Sequence, residues 1–294
     1  MDNTQGKPDP PEEPQFLSGR NLLTIVIDTN PYAWLKLSRR ATNPVQFTAV
    51  LEQILVFINA HLALKYDNLL AVIASHNDHA EFLFPSSLVS VDPSKKPANI
   101  YRQFCEADVT ITERLRQLAQ RSTEPTEPRS DSSMVPAALS MCLAYINRIQ
   151  KENEYRQVRS RVLIISASPD SSAQYIPLMN CIFSAQKSGI LIDVCKLHNE
   201  SLIFMEQAAQ LTGGVFLDVP DPRSLIQYLL FSFLSDVDTR KSLCLPGNKQ
   251  VDYRAACFCH KNIVDVAYVC SVCLSVFCTS HSECSTCQSK FPAK

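Results

Sequence analysis

Short continuous apolar runs alternate along this chain with longer stretches whose apolar residues recur every third or fourth position. LLTIVI from Leu22 and LLAVIAS from Leu69 have the length and continuity of strands buried on both faces of a sheet. Between them, residues 47–62 carry a single apolar stripe at helical spacing. Such alternation predicts an α/β domain with a mostly parallel sheet and helices on both faces.

The same pattern continues to about residue 238 and then changes. Further strands are predicted at residues 81–84 (at a sheet edge), 161–167, 190–195 and 215–219, and further helices at 101–120, from Pro136, around Leu178, after Ser201 and at 225–234. We therefore expect a large domain over residues 20–238. A disordered Pro- and Glu-rich segment, 1–19, precedes it, and a linker, 239–254, leads to a small module at 255–294.

Composition and charge narrow the possible functions. The formal net charge is −1 at pH 7, so no broad electrostatic attraction to nucleic acid or to an anionic membrane is expected. No run approaches the roughly 18 uninterrupted apolar residues of a membrane helix. Among only six glycines, none forms a phosphate-binding loop, and no nucleophile elbow is present. The usual machinery of α/β enzymes is not visible, and we expect no catalytic residues.

Seven of the twelve cysteines lie between Cys257 and Cys287, mostly in close pairs. Two Cys-x-x-Cys pairs form a complete four-thiolate set: Cys270, Cys273, Cys284 and Cys287. Thiolates at this spacing can bind one tetrahedral zinc ion from two turns. The cysteines outside the module are unpaired in spacing, which favours a reducing compartment over secretion.

A second zinc site is possible from the remaining ligands of the module. Cys257, Cys259 and Cys278 would supply three of them, and either His281 or His260 the fourth. Eight ligands in alternating pairs would form a cross-brace like that of a RING domain. Because protein would fill every coordination position, zinc would be structural in both sites.

Asp28 stands at the carboxyl end of the first strand, where open α/β sheets bind ligands. The stretch DTNPY from Asp28 resembles the DxSxS loop with which von Willebrand A domains hold magnesium. However, Asn30 and Tyr32 replace both serines, and Ala167 stands where that family usually has an aspartate. Too few oxygen ligands remain for a hard cation. We therefore expect Asp28 to bind no magnesium and instead to cap a helix or order its loop.

The stretch VDYRAACFCHKNIVDVAYVCSVCLSVFC, residues 251–278, closely resembles the family of general transcription factor IIH subunit three. IVIDTNP near Ile25 and LAVIASH near Leu70 support the resemblance, which covers residues 21–287. It implies a von Willebrand A-like domain followed by a zinc module, in a nuclear, non-catalytic subunit of the TFIIH core complex. That complex serves RNA polymerase II transcription and nucleotide excision repair of DNA damage. The resemblance also implies binding to the larger von Willebrand A-like subunit and to other core subunits.

One alternative of a different class is a RING-type ubiquitin ligase, in which the module would recruit a conjugating enzyme. It would require the second zinc site and an exposed apolar groove, for which Ile263, Val264 and Val276 are candidates. Direct DNA binding is a weaker alternative. Residues 240–294 hold seven Lys/Arg against three Asp/Glu, but zinc thiolates would offset most of that excess. We expect no sequence-specific DNA binding.

Overall fold

A computed structural model of the chain describes residues 19–40, 43–85, 101–121, 132–152, 158–245, 257–260 and 264–291. Residues 1–18 of the predicted N-terminal segment lie outside this part of the chain, as do Ile263 and residues 246–254 of the predicted linker. We refer to the described residues up to 245 as the large domain and to those from 257 onward as the C-terminal module.

The large domain is built on a six-stranded sheet. In chain order its strands are β1 (Arg20–Asp28), β2 (Leu69–Ser75), β3 (Ala80–Phe84), β4 (Val158–Ser166), β5 (Leu191–Lys196) and β6 (Phe216–Asp218). The spatial order is β3-β2-β1-β4-β5-β6, and only β3, at one edge, is antiparallel to its neighbour. The predicted mostly parallel sheet and the predicted edge position of the third strand are both confirmed.

Helices cover both faces of this sheet. Those of the large domain are α1 (Pro31–Ser38), α2 (Phe47–Leu64), α3 (Arg102–Arg121), α4 (Val135–Glu152), α5 (Tyr175–Lys187), α6 (Ile203–Thr212) and α7 (Leu225–Tyr228), which continues as a wider π-helical turn at Leu229–Phe233. Alternate β1 residues reach opposite cores, because successive side chains of a strand point to opposite faces. Leu23 and Ile25 pack with α1, α2, α3 and α7, whereas Leu22 and Val26 pack with α4, α5 and α6.

The helix α2 is apolar enough, at a mean hydropathy of 1.6, to meet the length and composition of a membrane helix. Its inner face carries Val50, Ile54, Phe57 and Ile58, which are buried in the core on its side of the sheet. A helix whose apolar face is the core of an α/β domain meets the same criterion. Packing against the sheet accounts for this inner face, whereas Val56 and Leu64 of α2 are more than half exposed.

The short helix α1 is not predicted by the apolar pattern, because eight residues give too little periodicity. The residues that favour this helix lie at its own start. The Asn30 side chain accepts a hydrogen bond from the Tyr32 backbone N–H at 3.1 Å, and Pro31 occupies the first helical position. This N-cap starts a helix directly after β1 and brings Trp34 over the carboxyl end of that strand. There its indole N–H donates to the Asp28 carbonyl at 2.7 Å.

The C-terminal module contains a two-stranded antiparallel sheet of β7 (Tyr268–Val269) and β8 (Val276–Phe277). Its buried core consists of Cys270, Phe277 and Cys284. Two of these three residues are candidate metal ligands, so little apolar material holds this module together.

Candidate metal centres

Four thiols converge in the centre of the C-terminal module, from Cys270, Cys273, Cys284 and Cys287, and we call this group the core site. The Sγ atoms of Cys270 and Cys287 are 3.7 Å apart, and those of Cys273 and Cys284 are 3.6 Å apart. Four sulfurs bound to tetrahedral zinc at about 2.3 Å would be separated by about 3.8 Å. The spacing fits a shared metal ion and is far too long for a disulfide bond.

The two turns that carry these thiols have the same backbone geometry. Leu274 N donates to Cys270 O at 3.0 Å, and Gln288 N donates to Cys284 O at 2.8 Å. Both donor residues are left-handed, with φ of 60° and 59°. A left-handed leucine costs about 1–2 kcal/mol of backbone energy. The conformation is thus imposed by the turn and not by the residue type.

Neighbouring hydroxyls influence the protonation of the core-site thiols. The Ser289 hydroxyl, 3.1 Å from the Cys287 Sγ, lowers the pKa of that thiol to about 6. Burial raises the pKa of Cys273 to about 11, although Ser275 at 3.0 Å acts in the opposite direction. The Cys287 thiolate is therefore available at neutral pH, and a bound cation would favour the thiolate form of its neighbours.

A second group, the outer site, consists of Cys257, Cys259, His260 and Cys278. The Cys278 Sγ lies 3.3 Å from the Cys259 Sγ and 3.3 Å from the His260 Nδ1. His281, the other histidine considered for this group, instead lies edge-on to the Phe277 ring with 5.4 Å between ring centres. Three thiols and one imidazole that converge in this way are a donor set that tetrahedral zinc accepts.

The ligands of the two sites interleave along the chain. The outer site takes residues 257–260 and Cys278, and the core site takes the pairs that begin at Cys270 and Cys284. The sites thus alternate, but the outer site takes three ligands before Cys270 and only Cys278 after Cys273, so it lacks the alternating pairs of the predicted cross-brace. Each site has buried ligands, Cys270 and Cys284 in the core site and Cys257 in the outer site, but only the outer site has exposed ones, Cys259 and His260.

Asp28 occupies the carboxyl end of β1 and is fully buried. One carboxylate oxygen accepts the Asn30 N–H at 3.0 Å, and the other accepts the N–H groups of Ala167 at 3.0 Å and Ser168 at 2.7 Å. Burial raises the pKa of Asp28, while these amide donors oppose that shift. The carboxylate therefore joins the end of β1 to the loop after β4 and orders that loop.

The surroundings of Asp28 offer few side-chain oxygen ligands to a metal ion. The Asn30 side-chain oxygen already caps α1, and Ala167 supplies no side-chain ligand. A cavity of about 210 Å³ opens beside this edge between α1 and the loop that carries His198. Burial, together with the charge of Lys196, lowers the pKa of His198 to about 4, and its Nδ1 accepts the Glu200 N–H. The neutral imidazole thus orders its own loop.

One contact between the C-terminal module and the large domain has no signal in the sequence. The Phe258 ring lies 4.6 Å from the Tyr175 ring and 5.7 Å from the Phe204 ring, measured between ring centres. Sequence reasoning selects Cys257 and Cys259 on either side and gives no role to the residue between them. A lone aromatic residue has no periodic pattern from which its partners could be deduced.

Comparison with known proteins gives relatives over most of the chain. Residues 20–288 match the family described as transcription factor Tfb4. The chain is 46% identical over 276 residues to the General transcription and DNA repair factor IIH subunit tfb4 of Schizosaccharomyces pombe, covering 92% of this chain and 89% of that protein. It is 43% identical over 262 residues to General transcription factor IIH subunit 3 of Dictyostelium discoideum, covering 86% and 70%.

Solved structures agree with this result. The TFIIH p34 N-terminal domain superposes with a TM-score of 0.61 at 35% identity, covering 72% of this chain and 97% of that one. A von Willebrand factor type A protein from Catenulispora acidiphila gives a TM-score of 0.50 at 15% identity and covers 72% of this chain and 41% of that one, which supports the fold alone. With a von Willebrand A-like sheet, two interleaved Cys/His clusters and these relatives, the chain belongs to the transcription factor Tfb4 family.

Proposed function

We propose that this chain is a non-catalytic structural subunit of the TFIIH core complex, acting through protein–protein contacts in transcription by RNA polymerase II and in nucleotide excision repair. The family match over residues 20–288 carries this proposal. Relatives that span most of the chain are named as subunits of that factor. Its place of action is accordingly the nucleus.

The residues at the carboxyl ends of the parallel strands support a role without catalysis. Both oxygens of the fully buried Asp28 accept backbone N–H groups, so this carboxylate serves to order the loop after β4. His198 is held neutral and its Nδ1 is already an acceptor. We therefore infer that the large domain works as a docking surface, does not need magnesium and has no substrate.

Zinc is the proposed cofactor, with one ion in the core site and one in the outer site. The sulfur separations of 3.6–3.7 Å in the core site support this assignment, as does the set of three thiols and one imidazole in the outer site. Native mass spectrometry of the full chain purified under reducing conditions should find two zinc ions. Fewer than one ion per chain would contradict the assignment of both sites.

The proposed partner is the larger von Willebrand A-like subunit of TFIIH, together with other core subunits. A stable pair would bury on the order of 1,600 Å² or more of surface. The co-expressed proteins should elute from gel filtration as a one-to-one complex. Because no magnesium bridge is expected, adding or removing magnesium should leave the elution volume unchanged. Failure of the pair to co-elute in the presence of zinc would overturn the proposal.

The ubiquitin-ligase alternative has no support in the family match or in the relatives named above. That alternative needs an exposed apolar groove. Two of the candidate groove residues, Val264 and Val276, are half-buried, and the third, Ile263, lies outside the described residues. An interleaved ligand order is a topology that does not by itself imply an activity. Incubation of the zinc-loaded chain with activating and conjugating enzymes should yield no ubiquitin chains, and zinc-dependent chain formation would favour the alternative.

A further inference from the structure

Phe258 lies between two candidate ligands of the outer site and contacts both parts of the molecule. On the module side its ring is 6.4 Å from Phe277, and its backbone N–H donates to Val276 O at 2.8 Å. On the other side it packs against the large-domain core formed by α4, α5 and α6. A residue in this position can transmit a change at the outer site to the large domain.

The large domain presents an aromatic surface to this ring, formed by Tyr175 and Phe204. Tyr175 begins α5 and Phe204 lies in the first turn of α6, and their ring centres are 5.0 Å apart. The Phe258 ring meets Tyr175 at 73°, which is the favourable edge-to-face geometry. The contact is therefore an aromatic cluster of Phe258, Tyr175 and Phe204.

The two metal sites are placed differently with respect to this contact. The core site supplies two of the three residues in the apolar cluster of the module, so it holds that cluster together. The outer site is more open to solvent, because Cys259 and His260 are exposed although Cys257 is buried. Since Cys257 and Cys259 flank Phe258, binding both thiolates to one ion would fix the backbone on either side of the ring. Metal in the outer site would thus restrict the ring to the orientation that meets the aromatic surface.

We propose that zinc in the outer site serves to dock the C-terminal module onto α5 and α6 through Phe258, whereas zinc in the core site serves to fold the module. This inference rests on the zinc occupancy proposed above. Residues 246–256 connect the two parts covalently, so docking is intramolecular and one well-oriented aromatic contact can keep the module bound. Without outer-site zinc, the module stays folded but leaves the aromatic surface.

Three variants of the full-length chain separate the two roles. Phe258→Ala removes the ring and keeps all eight ligands, so it should retain two zinc ions by native mass spectrometry. Amide hydrogen exchange in peptides from α5 and α6 should nevertheless become roughly tenfold faster at their module-facing ends. Cys278→Ser should retain one zinc ion and show the same faster exchange. Phe183→Ala removes an exposed phenylalanine of α5 and should keep wild-type exchange.

Several outcomes would overturn this assignment. Wild-type exchange in Cys278→Ser that retains one zinc ion would mean that the outer site does not orient the ring. Loss of zinc from Phe258→Ala would mean that the ring serves the folding of the metal site. If Cys278→Ser loses both ions, His260→Ala, which keeps every thiol, replaces it in the same comparison. A wild-type chain without two zinc ions would instead refute the zinc occupancy itself, so the two failures are distinguishable.

Discussion

At the scale of single residues, buried polar groups in this chain are used to fix backbone geometry. Asp28 accepts three backbone amides at the sheet edge, and Asn30 caps α1 two residues later. In a domain with two ligating serines the same edge would present hydroxyl oxygens to a cation. Here Asn30 caps α1 and Ala167 donates its backbone N–H to Asp28, so hydrogen bonds of the loops occupy this end of the sheet.

His61 should make the stability of the large domain depend on pH. It lies on α2, is 1% exposed, and its Nε2 is 3.3 Å from the Leu69 carbonyl oxygen. Burial, with a further contribution from the charge of Arg161, lowers the pKa of His61 to about 4. Between about pH 6.5 and 4 the unfolded chain binds a proton that the folded chain cannot bind. The free energy of unfolding therefore falls as the pH is lowered through this window, by up to about 1.4 kcal/mol per pH unit.

Urea unfolding of His61→Gln at pH 7.0, 6.0 and 5.5 tests this expectation. The variant should show a shallower loss of stability than the wild type, by about 1 kcal/mol between pH 7 and 5.5. Comparing slopes cancels the effect of protonating zinc ligands, which both proteins share. His79→Gln, at a half-buried position where the imidazole faces Asp78, controls for the change of residue type. Equal slopes for His61→Gln and the wild type would contradict the assignment.

At the scale of secondary-structure elements, two arginine side chains and a buried aspartate fix the end of the helical segment formed by α7 and its π-helical turn. Arg161 of β4 donates to the carbonyls of Phe233, Leu234 and Ser235 at 2.5–3.1 Å, which satisfies the final turn. Arg240 forms two hydrogen bonds, at 2.8 and 2.6 Å, to the fully buried Asp193 of β5. Arg240 falls within the predicted linker, yet it packs on the sheet domain.

Breaking the Arg240–Asp193 pair should destabilise the large domain substantially. Arg240→Ala leaves a buried carboxylate without its bidentate partner, and we expect a loss of about 3 kcal/mol in the free energy of unfolding. Asp193→Asn should cost a similar amount, and the double variant less than the sum, with a coupling of at least about 1 kcal/mol. Arg116→Ala removes an exposed pair with Glu113 and should cost under about 0.5 kcal/mol. Additive effects in a urea-unfolding cycle would contradict this coupling.

Most elements of the fold could be predicted from the sequence because their signals are local. β1 and β2 are continuous apolar runs, and α4 follows from the spacing of Leu139, Cys142 and Ile146, all fully buried. The helix α1 could not be predicted from periodicity, since its start depends on the Asn30 cap and not on an apolar stripe. Similarly, the packing of Arg240 depends on Asp193, a residue distant in sequence, and the composition of the linker gives no sign of it.

At the scale of the whole molecule, the candidate sites were predictable to different degrees. The core site follows from two Cys-x-x-Cys pairs, whose spacing alone specifies four ligands. The fourth ligand of the outer site does not follow from spacing, because the sequence leaves both His260 and His281 open. Only the folded module brings His260 to Cys278. The contact of Phe258 with Tyr175 joins two parts of the chain through side-chain packing, for which no spacing rule exists.

Removal of zinc should separate the stability of the two parts of the molecule. The large domain has two extensive apolar cores, whereas the buried core of the module is Cys270, Phe277 and Cys284. Structural zinc contributes on the order of 10–16 kcal/mol in isolated zinc-finger peptides, more than so small a core can supply. A strong zinc chelator should therefore abolish hydrogen-exchange protection in residues 264–291, while β1 and β4 remain protected.

The thermal unfolding midpoint of the large domain, followed by far-ultraviolet circular dichroism, should fall by no more than a few degrees in the same experiment, because only the Phe258 contact is lost. Zinc added back should restore protection in the module. Magnesium should not, since thiolate ligands do not favour a hard cation. Persistent protection of residues 264–291 without zinc would show that the module folds on its apolar core, and cooperative loss of β1 would show that the two parts form one folding unit.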